Sequence, residues 1–169
     1  VIHSFWVPAL QGKMDLVPGQ INTMLLEANQ PGVYWGECAE FCGTQHAKMQ
    51  FVIVAEPLDV YEAWVAQQQQ PATEPTDALA QMGRQVFLTE NCLYCHTIKG
   101  TEATGNLGPD LTHLASRRTL AAGTVTNNIG NLGGWIANPQ HIKPGNLMPA
   151  AELDSVELQA LLAYLATLQ

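Results

Sequence analysis

The sequence predicts two modules in series: a strand-rich first part, and a helical second part built around a paired-cysteine motif. Three observations carry this expectation. Up to Val54, short runs of β-branched and aromatic residues alternate with turn residues such as Pro18-Gly19 and Asn29-Gln30-Pro31-Gly32. A polar, proline-bearing stretch from Gln67 to Pro75 then breaks all apolar periodicity. Beyond it, Cys92-Leu93-Tyr94-Cys95-His96 lies between two segments of helical period.

The 169 residues allow one large or two small domains. The expected division is a first module with a trailing helix over 1–66, a linker over 67–76 and a second module over 77–169. A composition of 47% hydrophobic and 13% charged residues is that of a soluble globular chain. No apolar run approaches the roughly 20 residues that span a bilayer, and no secretory signal pattern is present. If the native protein is anchored or exported, those segments lie outside this sequence. The formal net charge of -8 argues against nucleic acid and suits a basic protein partner; a solvated acidic surface accounts for it equally well. The four cysteines form two pairs, Cys38/Cys42 and Cys92/Cys95, each with a histidine close behind. That pattern points to metal and cofactor chemistry rather than a disulfide framework.

Within the first part, strands are expected over 2–7, 21–28, 33–37 and 50–54. The loop between the last two carries Cys38, Cys42, His46 and Met49. Soft sulfur and imidazole donors select copper, zinc or iron–sulfur over calcium or magnesium. Residue chemistry leaves several arrangements open: a zinc site using Cys38, Cys42, His46 and His3, a Cys38–Cys42 disulfide, or one face of a helix. Gly36 and Gly43 with the flanking strand-like runs favour a loop.

His3-Ser4-Phe5-Trp6-Val7-Pro8 and Gly36-Glu37-Cys38-Ala39-Glu40-Phe41-Cys42-Gly43, followed by His46 and Met49, resemble the binuclear copper (CuA) domain of cytochrome c oxidase subunit II. The resemblance implies a cupredoxin-like Greek-key sandwich. It also implies two coppers bridged by Cys38 and Cys42, one histidine each from His3 and His46, and weaker donors from Met49 and the Glu40 carbonyl. The Glu40 carboxylate would share a magnesium ion with subunit I. The sequence begins inside the motif, so the sandwich is expected to be N-terminally truncated here, with a membrane hairpin and early strands belonging to a longer subunit. About 55 residues make a marginal domain even with metal.

Leu58, Tyr61, Trp64 and Val65 have helical spacing after Pro57, which predicts a short amphipathic helix; the segment that follows reads as a tether. Thr76 is the expected cap of a helix reaching about Thr89, with Leu79, Met82, Val86 and Phe87 on one side. C-x-x-C-H is a c-type haem signal, with a thioether from each of Cys92 and Cys95 and His96 beneath the iron; a redox pair, a disulfide or half a zinc site are the other uses of such a pair. Asp154 and Glu157 form a capping-box pattern before Leu158, Leu161, Leu162, Leu165 and Leu168.

The two helices resemble those of the class I cytochrome c fold, with Gly83 and Phe87 meeting Leu161 and Tyr164. Asn146-Leu147-Met148-Pro149 resembles its methionine loop, which makes Met148 the second axial ligand. Gly108-Pro109-Asp110-Leu111 resembles the loop whose proline carbonyl orients the proximal histidine. Arg117, Trp135 and His141 are candidates for contacts with the haem propionates and equally ordinary surface or packing residues. His113 is expected to be exposed, and Met14, Met24 and Met82 to serve packing.

No Ser-His-Asp set or phosphate-cradling glycine loop accompanies these motifs, so one-electron transfer is the chemistry in view. The paired resemblances imply the extramembranous part of a caa(3)-type subunit II. Its partners would be subunit I and the other oxidase subunits, with a cytochrome c or a respiratory complex as donor and a membrane hairpin as anchor. Haem attachment of this kind takes place outside the cytoplasm, which implies the periplasm or the outer membrane face. A nitric oxide or nitrous oxide reductase carrying both centres, and a copper-delivery protein with a fused cytochrome, are the alternatives.

Overall fold

The computed structural model describes residues 1–169. Strands β1 (His3–Trp6), β2 (Met14–Leu16), β3 (Gly32–Cys38) and β4 (Gln50–Ala55) form one antiparallel sheet in the order β2-β1-β3-β4. The sandwich expected for this module is represented by that single layer. The strand expected over 21–28 is absent, whereas β2 was not anticipated. Ile21 is 95% and Leu25 81% exposed, so this β-prone segment has no neighbouring strand to supply ladder bonds.

Within residues 1–56 only Ser4, Val7, Gly36 and Cys38 are buried. They meet where β1 crosses β3. Phe5 pairs with Cys38 and Trp6 with Glu37 in the ladder, and the Phe5 and Phe51 rings stack with centroids 4.8 Å apart. So small a core contributes little stability, and bound metal adds to folding wherever the ligands converge only in the folded state.

Helix α1 (Leu58–Gln68) forms as expected, but it buries no residue. Leu58, Tyr61 and Trp64 stay exposed because no second element packs on them. The following segment is not a free tether. Ala72 N–H donates to the Lys99 carbonyl at 2.9 Å, and Arg84 reaches Glu74 (3.2 Å) and Glu102 (3.6 Å), fastening the linker to the second module.

The second module contains α2 (Ala78–Thr89), the single turn α3 (Cys92–Cys95), a hairpin of β5 (Thr119–Leu120) and β6 (Val125–Thr126), α4 (Ile129–Ala137), α5 (Pro139–Ile142) and α6 (Ser155–Leu165). It is mainly helical, but the hairpin and an isolated bridge between Thr97 and Thr104 mean that it is not all-α. Asp77 rather than Thr76 caps α2, accepting from the amides of Leu79 and Ala80. The Asp154/Glu157 capping box opens α6 as expected.

Helices α2 and α6 cross where a Cβ on Gly83 would collide with the Ala160 carbonyl. Phe87 and Tyr164 meet edge-on there, with centroids 6.1 Å apart. The buried face of α2 is Ala80, Gly83, Val86 and Phe87; Leu79 and Met82 point outward, contrary to expectation, because the crossing at Gly83 rotates them away from α6. Leu161, Leu165 and Leu168 join a core with Ile98, Leu111, Leu114, Leu132 and Ile136. No helix is long and apolar enough to cross a membrane.

Candidate metal centres

Strand register brings the first set of donors together. The β1–β3 ladder sets His3 beside the end of β3, and Ala39 N–H bonds the Ser4 carbonyl at 2.9 Å. Cys38 N–H bonds the Met49 carbonyl at 3.0 Å, closing the loop between β3 and β4 at its base. A 3-10 turn over His46–Lys48 returns the chain toward Met49.

The Cys38 and Cys42 sulfurs lie 3.7 Å apart, too far for a disulfide and close enough to share metal ions. His3 Nδ1 is 3.8 Å from the Cys38 sulfur and His46 Nδ1 is 3.6 Å from the Cys42 sulfur. Met49 Sδ stands 3.9 Å from the Cys42 sulfur, and the Glu40 carbonyl oxygen 3.2 Å from that of Cys38. All six predicted donors therefore converge. Glu40 itself is exposed.

Burial raises the Cys38 thiol, yet backbone hydrogen bonds at Ser4 and Glu40 and side-chain bonds with His3 and His46 outweigh it and bring the value to about 6. Desolvation and the neighbouring Cys38 push Cys42 the other way. The Cys38 thiol therefore ionises more readily than the Cys42 thiol. Two thiolates, two imidazoles and a thioether form a soft donor set that fits copper.

The haem-attachment turn is wrapped by residues 105–111. Gly105 N–H bonds Leu93, Gly108 N–H bonds Cys95 at 2.7 Å, and Leu111 N–H bonds Thr97 at 2.8 Å. His96 Nδ1 donates to the Pro109 carbonyl at 2.8 Å. Because a carbonyl only accepts, the proton sits on Nδ1 and the Nε2 lone pair is left for a metal. A Cβ on Gly108 would stand 2.7 Å from Nδ1, so the loop can lie against the ring only with glycine there. Burial raises the Cys92 thiol.

Met148, Cys92 and Leu93 pack against the same core cluster, which brings the methionine loop to the module that holds His96. Gln140 braces that loop: its amide donates to the carbonyl of Asn146 at 2.8 Å and accepts from Gly145 N–H at 2.9 Å. Nothing in the sequence around Gln140 signalled this role. The attachment turn, the glycine-lined histidine and the apolar packing of Met148 together fit a c-type haem.

The remaining polar candidates divide. The Arg117 guanidinium donates to the Asp110 carbonyl, beside Pro109. Trp135 is half-buried on α4, and His141 is exposed on α5. His113 is only 7% exposed, against expectation: its Nδ1 lies 2.7 Å from the Gln169 carbonyl, where the end of α6 returns over it. Met14 and Met24 are half-buried, as packing residues would be, while Met82 is not.

A cupredoxin-like copper module joined to a cytochrome defines a class of extracytoplasmic electron carriers. The sequence profile described as cytochrome C oxidase subunit II, periplasmic domain, matches residues 1–56, and that of cytochrome c matches residues 80–169. The chain thus belongs to the cytochrome c family through its second module and carries the periplasmic domain of cytochrome c oxidase subunit II as its first. It is 47% identical over its whole length to cytochrome c oxidase subunit 2 of Alkalihalophilus pseudofirmus, covering 49% of that protein. It is also 35% identical to the subunit of Bacillus sp. strain PS3 and 31% identical to that of Bacillus subtilis, each over the whole chain and half of the relative. The chain spans about half the length of these relatives. Copper and haem are the cofactors these two domains imply.

Proposed function

We propose that this chain is the electron-transfer part of subunit II of a haem–copper oxidase. It takes electrons in at the cytochrome module and passes them through the copper loop to subunit I, where oxygen is reduced to water. The observation that carries the reading is the convergence of His3, Cys38, Cys42, His46, Met49 and the Glu40 carbonyl within a few ångströms. The named relatives support an oxidase over a nitric oxide or nitrous oxide reductase.

When bound, a copper pair and a haem c supply one-electron chemistry with little change in geometry. The protein's part is to hold the donors still. Cys38, Cys42, His3, His46, Met49 and the Glu40 carbonyl would hold the copper, with the soft sulfur and imidazole donors suited to its one-electron chemistry. The backbone bonds Cys38–Met49 and Ala39–Ser4 limit first-ligand movement, which keeps reorganisation small. In the second module Cys92, Cys95, His96 and Met148 would hold the haem, and the Pro109 carbonyl orients the His96 imidazole. With both His96 and Met148 as donors, the haem would carry electrons rather than bind substrate.

The exposed Glu40 carboxylate would help hold a magnesium ion shared with subunit I. Remaining oxidase subunits, an external cytochrome c or respiratory complex as donor, and a membrane anchor in the full-length subunit complete the proposal. The domain division at 1–66, 67–76 and 77–169 belongs to it.

The test is the metal content and electron paramagnetic resonance spectrum of the purified chain. Two coppers per haem iron, sharing one unpaired electron, are expected. Iron with no copper bound after reconstitution would overturn the copper assignment.

A further inference from the structure

The two modules meet through their metal-bearing loops. Gln50, the residue after Met49, donates its backbone N–H to the Ala122 carbonyl at 2.9 Å. Lys48, between His46 and Met49, donates its ammonium to the Ile142 carbonyl at 2.7 Å. On the cytochrome side, Lys143 turns its ammonium to the Ala121 carbonyl at 3.1 Å. A Cβ on Gly123 would lie 2.6 Å from the Gln50 Cβ, and one on Gly145 would lie 3.3 Å from Thr44. The copper loop therefore rests on the β5–β6 turn and on the segment that leads into Met148.

The turn is shaped for this contact. Ala121, Ala122 and Gly123 have φ values of 54°, 55° and 78° in succession. Two consecutive alanines in the left-handed region are disfavoured by their Cβ atoms, and an unconstrained hairpin places Asn or Gly there. Such a conformation persists where its surroundings hold it. Here it aims one carbonyl at Lys143 and the next at Gln50. Both ammoniums at the contact are used on backbone carbonyls, with neither paired to a carboxylate.

We propose that Ala121–Gly123, Lys143, Lys48 and Gln50 form a positioning seat that docks the cytochrome on the copper loop of its own chain. The seat fixes the methionine loop relative to the copper-ligand loop, and so would set the separation across which the proposed transfer runs. An external donor must then approach the cytochrome away from residues 121–123 and 142–145. This rests on the oxidase reading for its electron-transfer consequence. One electron passes, oxidising the iron and reducing the copper site, with no bond made or broken.

The test uses the full chain with both cofactors and two variants, Gly123→Val and Lys143→Met, neither at a ligand position. The readouts are hydrogen–deuterium exchange at the Gln50 amide, haem and copper spectra, and the rate of haem-to-copper electron redistribution after pulsed reduction. We expect the spectra to be unchanged, Gln50 exchange to rise by about tenfold or more, and redistribution to slow in parallel. Fast Gln50 exchange in the unaltered chain would overturn the seat. Undiminished redistribution in a variant whose Gln50 exchange has risen would overturn its positioning role. If Gly123→Val disturbs the haem spectrum through misfolding, Lys143→Met decides. A chain without copper fails the oxidase reading, while Gln50 protection still reports on the seat.

Discussion

The sulfurs of Cys38 and Cys42 stand 3.7 Å apart, each with its own imidazole: His3 on the Cys38 side and His46 on the Cys42 side. The pairing is nearly symmetric, an arrangement that would suit the proposed copper pair. Replacing Cys42 with serine removes one bridge and supplies a hard oxygen that copper holds poorly. Cys42→Ser is therefore expected to abolish the shared-electron resonance signal and leave the haem absorption spectrum intact. A changed haem spectrum would mean that the cytochrome module depends on the copper loop for its own fold.

Copper affinity should fall on acidification, in two stages. Copper binds thiolate, so any proton held in the metal-free chain must leave first. Above neutrality Cys38, pulled down to about 6, is already ionised, and Cys42, pushed up, still carries its proton. One proton leaves, and apparent affinity drops by about tenfold per pH unit as pH falls. Below about pH 6 Cys38 is protonated as well, and the slope steepens further. Chelator-competition titrations across this range measure it; a single unbroken slope would contradict the split between the two thiols.

Met148 packs against the same core cluster as Cys92 and Leu93, and its backbone is held by Asn146 and Gln140. Met148→Ala removes the thioether while keeping the loop's polar bracing. The expected outcome is an open axial position and a reduced chain that binds carbon monoxide, seen as a shifted haem absorption band. No carbon monoxide binding would take Met148 off the ligand set.

At the α2–α6 crossing the helices approach so closely that any side chain at 83 meets the Ala160 carbonyl backbone. Backbone cannot swing aside as a side chain can, so Gly83→Ala should destabilise the cytochrome module by about 1–3 kcal/mol, the usual range for overpacking. Thermal unfolding followed at the haem band checks this. An unchanged midpoint would show that the crossing relaxes.

His96 donates to Pro109 across a gap that Gly108 keeps open. Gly108→Ala should push the loop off the ring and loosen the imidazole. The expected outcome is a broadened or shifted His96 ring signal in nuclear magnetic resonance; an unchanged signal would show that the loop yields without moving the imidazole.

Much of the candidate site was legible in the residues because its chemistry is written locally. C-x-x-C-H, the Asn146–Pro149 run and the Cys38–Met49 loop each carry donor types at short fixed spacing, and the Asp154/Glu157 capping box is a local hydrogen-bonding pattern. The helices α1, α2 and α6 followed from periodicity for the same reason. Local pattern misled where the partner decides the outcome. Residues 21–28 have strand composition but no neighbour to bond, and the apolar residues of α1 face no core. Leu79 and Met82 lost the buried face of α2 to Ala80 and Gly83, because small residues let two helix backbones touch.

By itself, then, the sequence determined which atoms are available to hold metal and haem, and the order of the two modules. Only the tertiary structure decided that His3 reaches Cys38 through the β1–β3 register, that His113 is covered by the end of α6, and that Gln50 bonds Ala122. Donor identity is a property of single residues and short spacings. Contacts between distant residues depend on the path by which the chain returns to itself, which is set by strand register and helix packing over the whole molecule.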